Sequence, residues 1–569
     1  MHFYLLRSAR HLGRARQIAN VLVKHGFGFV VDRLGGASIL SIPRRALRRK
    51  SLRGEGGAGG PGAGEKAGWE RVRLVIEELG PTFIKLGQLL STRPDVIPRG
   101  LVAELMKLQD EVSPISYSEI ATVVASELGS KVEDLFMFFD PDPIAAASIG
   151  QVHRAILKTG EEVAIKVQRP GIERIVQLDL EILEDIAQLA EGRFTWAELY
   201  KPSTIVREFA DTLRRELDYT TEAHNADVFA RNFANDPSVR IPKVFWEFTS
   251  RKVLTLEYIR GIKVNDLQGI DARGWSRHKI AENLARSMFK QIIVDGFFHA
   301  DPHPGNITIV GDGTLAFVDF GMVGRLDEET RGKAINLLLA IVGRRASEVV
   351  KAMLDLGVVS PGIDIKQLEL DVRDILQRYY DLPLNKINVG EVIESTMDLS
   401  FRYRIRMPSN LALLVKSIVT LEGIVNQLDP SVSPMEIAEP LGRQLLREKY
   451  APEALARSFV RGLVSYAGDL MILPEKIISV LNLMQEGELK LKHEYRELER
   501  ALSKLTIAFD RLSFSIVVAG ILVGSALVAQ RSTGAGSILA KLPLAELGLG
   551  VAAVLGIWLL ISITRSGRL

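Results

Sequence analysis

One stretch constrains this chain more than any other: His299-Ala300-Asp301-Pro302-His303-Pro304-Gly305-Asn306, followed 13 residues after Asn306 by Asp319-Phe320-Gly321. A strand-like run, Thr314 to Val318, leads into the second element. Phosphoryl transfer from ATP needs a carboxylate that orients or deprotonates the acceptor hydroxyl. It also needs an amide oxygen and a second carboxylate to hold the magnesium ions that neutralise the phosphates. Asp301 fits the first role, and Asn306 and Asp319 fit the metal roles. Five specified residues at fixed spacing arise by chance roughly once in several thousand chains of this length, so an acidic loop without chemistry is a poor competitor.

Two upstream elements belong with this set. Val163-Ala164-Ile165-Lys166 reads as a short buried strand carrying the lysine that contacts the α- and β-phosphates. Before it, Ala145-Ala146-Ala147-Ser148-Ile149-Gly150-Gln151-Val152 overlays G-x-G-x-x-G-x-V with two glycines replaced by alanine. Glycine lets backbone amides approach phosphates without a β-carbon in the way, so alanines at 145 and 147 stiffen the hairpin and alter how it holds a nucleotide.

Composition narrows what surrounds the site. A chain of 569 residues calls for about three to four structural units, and 47% hydrophobic with 25% charged residues suffices for a packed core. Lys+Arg 72 against Asp+Glu 69 leaves +3, too balanced for a protein that works by gripping nucleic acid. With no cysteine, disulfides, thiolate metal sites and cysteine nucleophiles are excluded.

The charge excess is concentrated at the start, where the first 50 residues carry 11 Lys/Arg and one acid, Asp32. This fits a basic arm on an anionic membrane surface; an organelle transit peptide and a solvated tail fit it as well. Residues 54 to 64, GEGGAGGPGAG, are expected to form neither helix nor strand and to mark a domain boundary. At the other end, 19 uncharged residues lie between Arg511 and Arg531 and 18 between Glu546 and Arg565. Each is about long enough to span a bilayer, which predicts a transmembrane hairpin with glycine-lined faces at Gly520, Gly524, Gly548 and Gly556. Leu491, Tyr495, Leu498, Leu502, Leu505 and Phe509 form a seam of under three heptads, favouring packing against the body over a zipper, with a homodimer as the alternative.

Taken together, the alanine-rich loop, the lysine strand and the HxDxxxxN and DFG elements make the chain resemble the UbiB family of atypical kinases, also called aarF-domain-containing kinases. Lys85-Leu86-Gly87-Gln88 matches the family's KxGQ signature, and Glu216-Leu217-Asp218 its ExD signature. The resemblance covers about 66 to 330 with high specificity and continues through a helical stretch to about 510. It implies an α+β, two-lobed protein-kinase-like fold with an N-terminal helical extension and a C-terminal transmembrane hairpin.

Carried over to this chain, the resemblance implies that Lys166 pairs with Glu222, although periodicity alone does not pick Glu222 over Glu216. Val206, Phe209, Leu213 and Leu217 give one buried helix face. It further implies that the Lys85/Gln88 helix folds across the cleft, giving Lys85, Gln88, Glu216 and Asp218 regulatory roles. A nucleotide is then held by Ala145, Ala146, Ala147, Ser148, Gly150, Val152 and Lys166, with backbone groups of Glu257 and Ile259 at the adenine, by analogy with kinases.

Two departures from protein kinases bear on the acceptor. Ala300 replaces the arginine of HRD, and His303 stands where a lysine follows the catalytic aspartate by two residues. No Ala-Pro-Glu follows Gly321, and the chain turns quickly into a helix, leaving little room for a segment that holds a peptide. Expected domains are thus a basic arm and linker (1–65), a helical extension (66–130), an N-lobe with a helical insertion (131–262), a C-lobe with a helical tail (263–510) and the hairpin (511–569).

The resemblance implies ATP and Mg²⁺ as cofactors and support of isoprenoid quinone biosynthesis. Membrane lipids and quinone precursors, or the proteins that process them, are the expected partners, with the catalytic body on the cytoplasmic side of a bacterial inner membrane. A small-molecule or lipid kinase unrelated to quinones and a nucleotide-switched membrane scaffold remain the alternatives.

Overall fold

The computed structural model describes residues 9–33, 63–93, 96–108, 112–192, 201–359, 363–377, 389–403, 405–406, 408–449, 513–527 and 550–555. They fall into two units, Met1–Leu455 and Ala456–Leu569.

The first unit begins with a helical layer. Helices α1 (Ala9–Lys24) and α2 (Gly28–Arg33) are followed by α3 (Ala63–Leu79), α4 (Pro81–Ser91) and α5 (Arg99–Leu105). Gly80, at φ 92°, supplies the left-handed residue that breaks α3 from α4, and Pro81 starts the next helix with its ring already at a helical φ. The basic N-terminal segment is therefore not a solvated tail over residues 9–33. Ile18 and Val21 are buried with Val75, Ile76 and Leu79 of α3 and Phe83 and Ile84 of α4, each such side chain contributing about 1.5–3 kcal/mol. Arg14 forks onto the fully buried Asp179, with Nε at 2.7 Å and Nη2 at 2.9 Å from its two oxygens, and Nη2 also donates to the Leu79 carbonyl at 2.8 Å. The glycine-rich linker is shorter than expected, because α3 already takes in Ala63 and Gly64.

The N-lobe follows. Helix α6 (Tyr117–Leu128) opens on a Ser116/Glu119 capping box and closes at Gly129, φ 75°. After the short α7 (Val132–Leu135) come β1 (Phe136–Phe139), β2 (Ala145–Ala146), β3 (Gly150–Leu157) and β4 (Glu162–Gln168). Helices α8 (Ile172–Glu191), α9 (Pro202–Glu216) and α10 (Tyr219–Asn232) intervene before β5 (Val239–Arg240) and β6 (Val253–Glu257). The sheet runs β1-β3-β4-β6, antiparallel throughout, with β2 on β3. Strand alternation sends Val163, Ile165 and Val167 into the core beneath α6 and leaves Lys166 on the opposite face. Residues 206 to 222 form two helices rather than one: α9 ends at Glu216, and Asp218 caps α10 by accepting from the Thr220 amide at 3.1 Å. Strand β6 stops at Glu257, two residues before Ile259.

The C-lobe contains β7 (Ile262–Lys263), α11 (Leu267–Ala272), α12 (Arg277–Phe289) and a π-helical turn, Lys290–Asp295. Next come β8 (Phe297–His299), β9 (Ile307–Val310), β10 (Thr314–Phe317), β11 (Val323–Arg325), α13 (Glu328–Val342) and α14 (Ala346–Leu356). Then β12 (Val358–Val359), α15 (Ile365–Gln377), α16 (Val389–Arg402), β13 (Ile405–Arg406), α17 (Ser409–Leu428) and α18 (Pro434–Lys449) complete the described body. The sheet β5-β10-β9-β7 presents the catalytic loop, and β8 pairs antiparallel with β11. One core joins α10, α12, these strands and helices α13 to α18. Only six residues separate Gly321 from Glu328, the first of α13, in line with the short post-DFG segment expected.

Among the described residues, one helix is long and apolar enough to cross a bilayer, Asn410–Leu428, and 56% of its apolar window is buried inside the body. It is a core helix. In the second unit Ser513–Leu527 is an apolar helix of 15 residues, short of a full span, and 550–555 is helical. The expected transmembrane hairpin is thus not shown. The rest of both spans, including Gly548 and Gly556, and the seam from Leu491 to Phe509, lie outside the described residues.

Candidate active site

The cleft is built around Lys166. Strand β4 projects it toward α10, where its ammonium donates to Glu222 Oε2 at 2.8 Å, and toward Asp319, whose Oδ2 is 3.4 Å away. The Tyr219 ring lies 5.2 Å from the ammonium. Burial alone would depress the Lys166 pKa, but the charges of Asp319 and Glu222 outweigh it and hold the lysine well above its usual range. Burial pushes the Glu222 carboxyl up against the pull of Lys166. At Asp319 burial is overcome by Lys166 and by the Gly321 amide, which donates at 2.9 Å, so that its carboxyl is held at about 2. Asp319 is therefore ionised at neutral pH and fit to hold a cation.

Helix α10 positions the DFG element twice over. Glu222 Oε1 accepts from the Phe320 amide at 3.4 Å, and Asn225 Nδ2 donates to the Phe320 carbonyl at 3.0 Å. The two residues are three apart on one helix face. Phe320 is buried between Phe229 and His299, with centroids 5.2 and 6.3 Å away.

The catalytic loop is held from beneath. His299 Nδ1 accepts from the Asp301 amide at 3.1 Å, and burial lowers the His299 pKa. The π-helical turn brings Gln291 under the loop, its Oε1 accepting from the His299 amide at 2.9 Å, a local use of an irregular helix at a functional site. Asn306 Nδ2 donates to the Asp301 carbonyl at 3.1 Å, which leaves Oδ1 as the atom offered to a metal. Magnesium takes one or two protein oxygens together with substrate phosphates, so Asn306 and Asp319 fit it.

The alanine-rich loop is a tight, pinned hairpin. Ala145 and Ala146 pair with Val152 and Gln151, and the Ala147 amide donates to the Gly150 carbonyl at 2.8 Å. Arg169 fastens the turn, its Nε donating to the Ala147 carbonyl at 2.9 Å while its amide donates to the Ile149 carbonyl at 2.9 Å. Ser148 and Ile149 are buried, and Ile149 enters the apolar core of the helical layer with Ile84, Val176 and Leu180. Gly150 is required by close approach: a β-carbon there would meet the Tyr219 hydroxyl and the Val167 carbonyl.

The remaining expected residues separate. Lys85 pairs with Glu216 at 2.5 Å, joining α4 to the end of α9, and its charge contributes to lowering the Asp319 pKa. Asp218 serves as the cap of α10, whose Thr220 also donates its hydroxyl at 2.6 Å. Gln88 is half-buried on α4, with its carbonyl accepting from Ser91. The Glu257 amide donates to the Lys243 carbonyl at 2.8 Å and its carboxylate pairs with Arg240. Ile259 lies in the linker between β6 and β7.

Sequence reasoning missed Lys416, which stands 3.1 Å from Asp301 Oδ1, and Ser417, which donates to the His299 carbonyl at 2.9 Å. Their signal was a lysine inside a largely apolar helix, Ser409–Leu428.

Comparison with known proteins gives concordant matches. The ABC1 atypical kinase-like domain matches residues 107–353, the UbiB helical domain 372–433 and the ABC1/UbiB kinase-like C-terminal domain 496–565. The chain is 35% identical over 444 residues to uncharacterized protein sll1770 of Synechocystis sp., covering 77% of this chain and 76% of that protein. It is 36% identical over 444 residues to the probable protein kinase UbiB of Cellvibrio japonicus, covering 77% and 79%. To Protein ACTIVITY OF BC1 COMPLEX KINASE 7, chloroplastic, of Arabidopsis thaliana it is 36% identical over 456 residues, covering 78% of this chain and 64% of that protein.

Proposed function

Because the chain belongs to the ABC1/UbiB atypical kinase family, we propose that it is a membrane-anchored, ATP- and Mg²⁺-dependent phosphotransferase or ATPase that supports isoprenoid quinone biosynthesis. The observation that carries the catalytic part is the Lys166, Glu222 and Asp319 cluster facing Asp301 and Asn306. A fold kept only for packing has no need of a part-buried lysine shared by two carboxylates, since apolar residues of similar volume are as stable or more so.

In the proposed reaction Lys166 contacts the α- and β-phosphates and Glu222 fixes its position. Asp319 and Asn306 Oδ1 would hold Mg²⁺, which would supply neutralisation of phosphate charge. Asp301 orients the acceptor hydroxyl or water.

The membrane part rests on the two uncharged runs and on the exposure of Ile516, Val517, Val523 and Leu527 along the helix Ser513–Leu527, a face suited to lipid. The quinone part rests on the resemblance and on the UbiB name of a relative. A membrane-borne acceptor fits the short post-DFG segment and the Lys85–Glu216 pair that draws α4 to the cleft. The second reading, a nucleotide-switched scaffold, draws on the pinning of the alanine-rich loop by Arg169 and Ile149.

Phosphate release by the detergent-solubilised protein, with and without anionic liposomes and a phenolic quinone-like compound, tests both. The enzyme reading expects MgATP-dependent release that rises with lipid and phenol and is lost in Asp319→Asn. Nucleotide binding without any release favours the scaffold, and phosphorylation of a peptide panel with no response to lipid overturns the membrane acceptor.

A further inference from the structure

The catalytic loop receives a cation from outside the kinase-like domain. Lys416 projects from α17 so that its ammonium stands 3.1 Å from Asp301 Oδ1, with both side chains about a third exposed. The adjacent Ser417, fully buried, donates to the His299 carbonyl at 2.9 Å. Two consecutive residues of one helix thus grip both ends of the His299-Ala300-Asp301 segment, which fixes where the lysine can reach.

The catalytic loop itself supplies no such charge. His303 occupies the position two residues after Asp301, and its Nδ1 is engaged by the Gly305 amide at 3.2 Å, capping the turn that presents Asn306. Of the other lysines at the site, Lys85 pairs with Glu216, Lys166 is committed to Glu222 and Asp319, and Lys263 donates to the Gly305 carbonyl at 2.6 Å. Lys416 is the one seated on the carboxylate that faces the acceptor.

From this geometry we infer that Lys416 contacts the transferred γ-phosphoryl group, so that the helical domain contributes a catalytic residue to the kinase-like cleft. The inference rests on the reading of the cleft as an ATP site. In the step it serves, the acceptor oxygen forms a bond to Pγ while the bond from Pγ to the β,γ-bridging oxygen breaks, its electron pair leaving on ADP. The acceptor proton passes to the Asp301 carboxylate or to the transferred phosphate. Lys416 keeps its own proton and exchanges one contact for another, from Asp301 to the equatorial oxygens, where negative charge is spread in the transition state. ADP lacks those oxygens and should not sense the lysine.

That difference supplies the test. The full chain in detergent is compared with Lys416→Met, Lys416→Arg and Ser417→Ala by measuring affinity for Mg-ADP and for the Mg complex of the non-hydrolysable β,γ-imido analogue of ATP, together with kcat and KM. Lys416→Met should weaken the imido analogue about tenfold, the worth of a charge-assisted hydrogen bond, leave Mg-ADP within about twofold, and lower kcat by about 10²-fold. Lys416→Arg should recover part of both losses. Ser417→Ala, which removes the anchor but not the charge, should lower the preference for the imido analogue less than Lys416→Met does. Retained Mg-ADP binding in each variant reports an intact fold. A Lys416→Met protein with the wild-type affinity ratio, or one that loses both nucleotides equally, overturns the assignment while the ATP reading stands. A wild-type protein that binds neither nucleotide overturns both.

Discussion

The floor and the roof of the cleft follow different rules. On the floor, Asp301, Asn306 and Asp319 sit where phosphoryl transfer places an acceptor carboxylate and two metal ligands, half-exposed and tied to backbone on both sides. On the roof, the loop that would close on phosphates is stiffened by alanines, fastened by Arg169 and anchored through Ile149 in a core belonging to another layer. The residue types of phosphoryl transfer are kept on the floor, and the loop above them is altered.

The sharpest way to break that contrast is at the floor. Asp319→Asn should lower kcat/KM for ATP by at least ~100-fold, with Mg²⁺-dependent thermal stabilisation lost. Should the variant keep its Mg²⁺ response, the floor is no more functional than the roof.

Next come the buried ion pairs, one in each region. Lys166→Met strands Glu222 beside Asp319, and Arg14→Ala strands the fully buried Asp179 in the helical layer. Each should cost about 3 kcal/mol in chemical denaturation, the typical penalty for an uncompensated buried charge. Only Lys166→Met should also abolish nucleotide binding. Equal functional loss in Arg14→Ala would show that the N-terminal helices act on the site directly.

The roof is probed more gently through Gly150. Gly150→Ala should cost about 1–3 kcal/mol by overpacking, since its β-carbon meets Tyr219 and the Val167 carbonyl. Among the described residues the Tyr219 hydroxyl is buried with no hydrogen-bond partner. Tyr219→Phe alone should therefore be neutral or stabilise by up to about 1 kcal/mol, and in the double variant it should relieve part of the Gly150→Ala cost. A destabilised Tyr219→Phe would mean that the hydroxyl is satisfied after all.

The smallest effect is in acid. Asp319 is held at about 2 against an ordinary 3.8, so its contribution to stability is present above about pH 4 and is lost as pH falls from 3.8 toward 2. Asp319→Asn should flatten the stability profile within that window. Asp429, held at about 2 through Ser431 and through His278 at the start of α12, serves as the internal control, because its acid sensitivity should persist unchanged.

The floor was legible in the sequence because the reaction dictates residue identity at fixed spacing: Asp301, Asn306 and Asp319 are read off one short segment. The partner of Lys166 was harder. Periodicity could not choose between Glu216 and Glu222, and the break at Asp218 that puts them on separate helices depends on a side-chain cap. The roof was barely legible, since the burial of Ile149 among α4 and α8 side chains is a long-range contact with no local pattern. The N-terminal helix was misread for a different reason. Its charges dominate its composition, yet Ile18, Val21 and Leu22 recur at three and four residues, and this narrow stripe suffices to dock it.

The reach of α17 into the catalytic loop has a consequence for how the protein is divided. The kinase-like match ends at residue 353, and a fragment cut there would hold every motif that identifies the family. It would also strip the apolar flank of α12 that α17 covers and remove the donor to the His299 carbonyl, 118 residues along the chain. The boundary drawn by motifs therefore runs through the middle of one packed part, and a fragment ending there keeps the motifs while losing a face of the core that holds them in place.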